Sequence, residues 1–136
     1  MIDYDNTTDF PYEPALLDAI ASALTPESVE TILVDDETIR ELNLEHRGLD
    51  KPTDVLSFPL EPFPGAPLGS IIISVDTARR QAEEMGHPIE SEIAVLFLHG
   101  LLHLKGFDHE CDQGEMAAEE SRLRRQFNLP LGLTER

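Results

Sequence analysis

Residues Ala94–His109, AVLFLHGLLHLKGFDH, decide the reading of the chain. The run is almost wholly apolar, yet it carries three of the protein's five histidines, His99, His103 and His109. On a helix, positions i and i+4 share one face, so the imidazoles of His99 and His103 can reach one metal ion. Gly106 follows at the point where a glycine can take the left-handed conformation that ends a helix, and the returning chain would carry His109 toward the same ion. Neutral imidazoles suit zinc, and three protein ligands leave a fourth position for water, the arrangement of a catalytic site. The competing reading, core histidines bonded to backbone, fits one histidine in such a run better than three at this spacing.

The pattern His-x-x-x-His-x-x-Gly-x-x-His also occurs in the metzincin proteases, which place a glutamate directly after the first histidine as general base. Here that position is Gly100, which cannot move protons, so peptide hydrolysis by that route lacks its base.

HGLLHLKGFDHE resembles the signature of the YbeY family of bacterial endoribonucleases, or rRNA maturation factors, and LNLEHRGLDKPTDVLSFP, from Leu42 to Pro59, is similar to that family's other characteristic block. The resemblance runs from about Ile32 to Phe127. It implies a zinc-dependent, single-strand-specific endoribonuclease acting in late rRNA maturation and ribosome quality control. Single-stranded RNA and rRNA would be its substrates, and ribosomal components and an assembly GTPase its partners. It also implies an active-site role for Arg47, whose guanidinium offers paired donors to a phosphoryl oxygen. With Gly48 and Lys51, Arg47 would form a locally basic loop able to receive RNA. Asp108, beside the third histidine, is a candidate either to orient a ligand and place the attacking water or simply to close the turn after Gly106. The chain departs from the family at Ser70, where Leu-Gly-Asp is common. Two other readings stay open: another metal-dependent hydrolase, or a noncatalytic ribosome-assembly factor with structural zinc, for which Cys111 would be a fourth ligand.

A net charge of -17 and a pI of 4.4 argue against broad attraction to RNA, whose binders usually carry a basic footprint; a nuclease needs positive potential only at its cleft. Much of the acid, including Glu83, Glu84, Glu90, Glu92, Glu115, Glu119 and Glu120, falls on expected helix faces and reads as solvated surface. His46 and His87 lie outside the histidine pattern and also read as surface residues. One cysteine forms no internal disulfide, MIDYDNTTDF lacks the basic and apolar regions of a signal peptide, and no apolar run reaches the ~20 residues that span a bilayer. A cytoplasmic protein with no membrane partner is expected.

Outward from the central helix, the remaining elements follow from periodicity and punctuation. A helix is expected from Pro14 to Leu24, a strand over 29–34, and a helix capped by Asp35 or Asp36 with Ile39 and Leu42 inward. A short strand over 54–58 precedes a proline-rich loop, a strand over 69–75 leads to a helix capped by Asp76, and a last helix covers 113–127 with Met116, Leu123 and Phe127 as its stripe. Residues 1–13 read as a loop or short edge strand, and the segments 1–13 and 128–136 as peripheral or mobile. The expectation is a single α+β endoribonuclease domain over residues 1–136, with one small mixed sheet and helices packed around a buried, metal-bearing central helix.

Overall fold

The computed structural model describes residues 1–61, 63–108 and 111–136. Four strands, β1 (Ile2–Asn6), β2 (Val29–Val34), β3 (Val55–Pro59) and β4 (Gly69–Ser74), form one sheet in the order β1-β2-β4-β3. The first three neighbours in that order are parallel, and β3 joins β4 antiparallel as the outer strand. Five helices accompany them: α1 (Ala15–Leu24), α2 (Asp36–Arg47), α3 (Val75–Met85), α4 (Ile89–Leu104) and α5 (Glu115–Gln126). The mixed-sheet α+β class expected from the sequence is therefore the class observed.

Alternation along the strands builds two unequal cores. Val29, Leu33, Ile71 and Ile73 point to the face covered by α1, α3, α4 and α5, where they join the principal cluster. Val34, Leu56 and Ile72 point to the other face and pack with Ile39 of α2. Because α4 is apolar around its whole circumference, it belongs inside the larger core. It packs against α1, α3, α5, β3 and β4, and every described residue from Glu92 to Leu102 is buried.

Glycine sets how closely helix and sheet approach. A Cβ added at Gly100 would sit 2.9 Å from Ser57 Oγ and 3.1 Å from Ile71 Cγ2, so α4 lies on β3 and β4 at a distance no side chain permits. The Ser57 hydroxyl donates to the Gly100 carbonyl across this contact, at 3.1 Å. A glutamate after His99 is excluded by packing, which explains the missing protease base in steric terms.

Several local expectations are corrected. Ser74, not Asp76, caps α3, accepting from Thr77 N at 3.2 Å, while Asp76 lies in the first turn and accepts from Asp36 N at 2.9 Å. Asp35 does cap α2, accepting from Thr38 N. Of the two readings of the 1–13 segment, the short edge strand is the one observed, as β1, with Tyr4, Phe10 and Tyr12 packed on the core. The 128–136 segment is fastened rather than mobile: Leu129 and Gly132 are buried, and a short 3-10 turn covers Leu133–Glu135. Arg136 binds Glu92 through two contacts of 2.5 and 2.8 Å.

Glu92 and Glu120, expected as solvated surface, are both 0% exposed. Glu92 is compensated by Arg136 and by His87 Nε2 at 2.6 Å, so His87 is half-buried rather than a surface residue. No helix among the described residues is long and apolar enough to cross a membrane.

Candidate active site

A cleft of about 800 Å³ runs along β3, the outer strand of the sheet. Its walls come from opposite faces: His46 and Arg47 at the end of α2, and His99 and His103 on α4. Thr53 to Phe58 form its floor, and Gly106, Phe107, Asp108 and Leu133 close one end. The topology thus brings together blocks separated by some fifty residues, because β3 follows α2 and then lies against α4.

On the α4 wall, the two imidazoles meet edge to face, with ring centroids 4.7 Å apart and Nε2 facing Nε2 at 3.1 Å. Their other nitrogens are each held by a further group. His103 Nδ1 is 3.1 Å from the Phe107 carbonyl, which can only accept, so Nδ1 carries the proton. His99 Nδ1 is 3.3 Å from Glu120 Oε2. Burial would raise the Glu120 carboxyl, but its bonds to His99 and Thr134 and the Leu133 backbone outweigh that and hold it below the usual carboxylate range. An ionised carboxylate also accepts, so His99 too donates from Nδ1.

That proton placement turns the Nε2 acceptor sites of the two rings toward one point, a donor set that a single cation can engage. Two nitrogens bound to one tetrahedral zinc at ~2.0–2.1 Å lie roughly 3.3 Å apart, close to the observed separation. The residues present therefore fit a metal ion. His109, the third ligand expected from the sequence, lies outside the described residues; among the described residues no group of three His, Cys, Asp or Glu side chains gathers at one point.

On the facing wall, Arg47 is exposed at the last position of α2, and Gly48 at φ 72° ends the helix behind it. Asp50, a candidate to neutralise Arg47, is instead bound by Arg40, and among the described residues Arg47 makes no ion pair. Asn43, fully buried, fastens the loop by donating to the Lys51 carbonyl at 2.9 Å. Lys51 itself is exposed and does not line the cleft. Asp108 does line it, while its carbonyl accepts from Cys111 N and Asp112 N, so its backbone closes the turn. Ser70 lies away from the cleft and donates to Glu30 across the sheet at 2.9 Å.

Sequence reasoning missed three contributors. His46, exposed as expected, nevertheless lines the cleft with its ring 4.7 Å from that of Phe58. Leu133 reaches the cleft from the tail. Glu120 was detectable, since it occupies an inward position of the stripe Met116, Glu120, Leu123, Phe127, and a carboxylate in an apolar stripe requires a buried partner.

Residues 13–128 match the family described as Endoribonuclease YbeY. The chain belongs to the YbeY family. Relatives named Endoribonuclease YbeY include one from Nautilia profundicola, 56% identical over 98% of this chain and 96% of its own length. Another, from Helicobacter pylori, is 52% identical over 100% of this chain and 98% of its own length. A Thermotoga maritima protein solved in solution shares the fold with a TM-score of 0.64 at 28% identity, covering 93% of this chain and 89% of that one. The family matches the resemblance carried by the two sequence blocks, and those blocks are the ones that form the facing walls of the cleft.

Proposed function

We propose that the protein is a zinc-dependent endoribonuclease that cleaves single-stranded RNA in late rRNA maturation and ribosome quality control, in the cytoplasm. The observation that carries this reading is the pair of Nε2 atoms 3.1 Å apart at a cleft that also holds an arginine without an ion pair among the described residues. Membership of a family whose members are named endoribonucleases supports RNA as the substrate. Ribosomal components and an assembly GTPase belong to the same proposal as partners.

His99 and His103 would hold the ion, with His109 as the third ligand on the strength of the sequence pattern. When bound, zinc supplies Lewis acidity for a phosphoryl oxygen and lowers the pKa of water toward ~7. The chain's own groups supply the rest. Arg47 neutralises charge that builds on the phosphoryl oxygens through the paired donors of its guanidinium. Asp108, which lines the closed end, would orient the attacking water. The apolar wall below the imidazoles excludes bulk water and strengthens these interactions. Gly100 contributes no base and only lets α4 approach the sheet.

Metal analysis of the purified protein, combined with cleavage of single-stranded RNA with and without chelator, tests the reading. About one zinc per chain and chelator-sensitive RNA cleavage are expected, with casein left intact. Zinc retained with no RNA cleavage would favour a noncatalytic assembly factor, and casein digestion would favour a protease.

A further inference from the structure

Glu120 sits on α5, away from both sequence blocks that line the cleft, and is 0% exposed. Its Oε2 faces His99 Nδ1 at 3.3 Å and accepts from Thr134 Oγ1 at 2.9 Å. The tail closes over the same carboxylate: a Cβ added at Gly132 would stand 2.1 Å from Oε1 and 2.6 Å from Cδ, so only a glycine allows the chain to pass there. Glu135 in turn accepts from Arg124 Nε at 2.6 Å and from Gly132 N at 3.0 Å, which ties the 3-10 turn back to α5. A buried carboxylate is retained only where its charge is used or compensated. No arginine or lysine forms an ion pair with Glu120 among the described residues, Arg136 acting on it only at longer range, and its hydrogen-bonded ionisable partner there is the imidazole whose other nitrogen faces the cleft.

We propose that Glu120 is a positioning residue for His99 and that residues 129–135 form the clamp that keeps Glu120 in place. Glu120 fixes the proton of His99 on Nδ1, which points the Nε2 lone pair into the cleft and makes the ring a stronger ligand. Thr134 holds the accepting oxygen, and Gly132 excludes water from the carboxylate. The C-terminal segment is thereby part of the site although it supplies no ligand. The metal-affinity consequence rests on the zinc reading above; the position of the His99 proton does not.

The test uses the full chain. Nitrogen-15 NMR of the metal-free protein reads the His99 tautomer, and competition against a zinc-binding dye reads affinity for zinc alone. The wild type should show Nδ1–H at His99. Glu120→Gln should weaken that preference and lower zinc affinity by about 10–100-fold, Thr134→Val should lower it a few-fold, and Glu119→Gln, one residue away and paired with Arg122, should change neither. An Nε2–H tautomer at His99 in the wild type, or a folded Glu120→Gln with unchanged tautomer and zinc affinity, overturns the proposal. If the wild type takes up no zinc, the metal reading fails while the tautomer still decides the role of Glu120. If Glu120→Gln does not fold, the wild-type tautomer and Thr134→Val decide it.

Discussion

The two walls of the cleft are built in opposite ways. On α4, His99 and His103 emerge from a helix buried on all sides, and each ring is held at Nδ1, His99 by the buried Glu120 and His103 by the Phe107 carbonyl. On α2, Arg47 and His46 are exposed at a helix end that Gly48 terminates, and the arginine has no ion pair among the described residues. The first wall is pre-organised, as ligand geometry demands. The second keeps a charged group solvated, as the proposed capture of a flexible polyanion would demand. In a chain of net charge -17, an arginine at the rim without an ion pair among the described residues would, on the proposed function, supply the local positive potential that a wide basic surface supplies in most nucleic-acid binders.

The contrast predicts different failures, and the largest lies on the α4 wall. His99→Ala or His103→Ala should lose zinc and RNA cleavage together, and His109→Ala should behave alike on the sequence pattern. His87→Ala, whose ring serves Glu92 and not the cleft, should keep its metal. Atomic absorption on the purified variants checks this, and full zinc occupancy without His99 would remove the distinction between the walls.

The facing wall should fail without metal loss. Arg47→Glu is expected to retain zinc and fold but to lose on the order of a hundredfold in cleavage rate, the usual cost of removing a donor to developing charge. Arg79→Glu is the matched control. Arg79 sits over the Phe10 ring at 5.8 Å and near Asp76 at 3.9 Å, away from the cleft. Equal losses from the two variants, measured by single-turnover kinetics, would mean that overall charge and not the rim arginine governs RNA cleavage.

How much of this contrast was legible beforehand follows from what each feature depends on. The α4 wall was readable because i, i+4 spacing and an all-round apolar helix are local properties of Ala94–Leu104. Arg47 was readable only through the family block, since nothing in EHRGLDK shows that Asp50 would be taken by Arg40. The sheet order was not readable, because the parallel pairing of Ile2–Asn6 with Val29–Val34 depends on contacts far apart in sequence. Glu120 and Glu92 were misread because acidic residues were assigned to the surface by type rather than by their place in a stripe. The tail was misread because its anchors, Leu129, Thr134 and Arg136, find partners on α4 and α5, which no local pattern announces. Ser74 and Asp76 are both good caps by type, and the backbone, not the composition, chose between them.

A third, smaller effect concerns the contact that lets the α4 wall reach the sheet. Gly100→Glu, which would restore the protease-like residue, should instead destabilise the fold by about 3 kcal/mol, through overpacking against Ser57 and Ile71 and burial of a carboxylate. Urea unfolding checks it; a stable variant that gained casein hydrolysis would show that α4 can move away from β3.

The smallest effect lies outside the cleft. Burial would raise the Asp36 carboxyl, but bonds from Ser74, Thr77 and Arg80 outweigh it and hold it below the usual value. A carboxyl lowered in the folded state contributes stability above its unfolded pKa, about 3.8, and that contribution is lost as pH falls through the folded value. Asp36→Asn should therefore narrow the stability gap between pH 7 and pH 3 while leaving zinc content and RNA cleavage at pH 7 as in the wild type. Melting temperatures at the two pH values read this directly, and an unchanged gap would assign the acid sensitivity to other carboxylates.

The claim on which the account turns is that the facing Nε2 atoms of His99 and His103 bind one ion. X-ray absorption at the zinc edge of the reconstituted protein tests it most directly. The account predicts a shell of nitrogen or oxygen neighbours at ~2.0–2.1 Å with the outer-shell signature of at least two imidazoles, lost in His99→Ala. A sulfur neighbour at ~2.3 Å, which only Cys111 or a methionine could supply, or a spectrum without imidazole features, would contradict it.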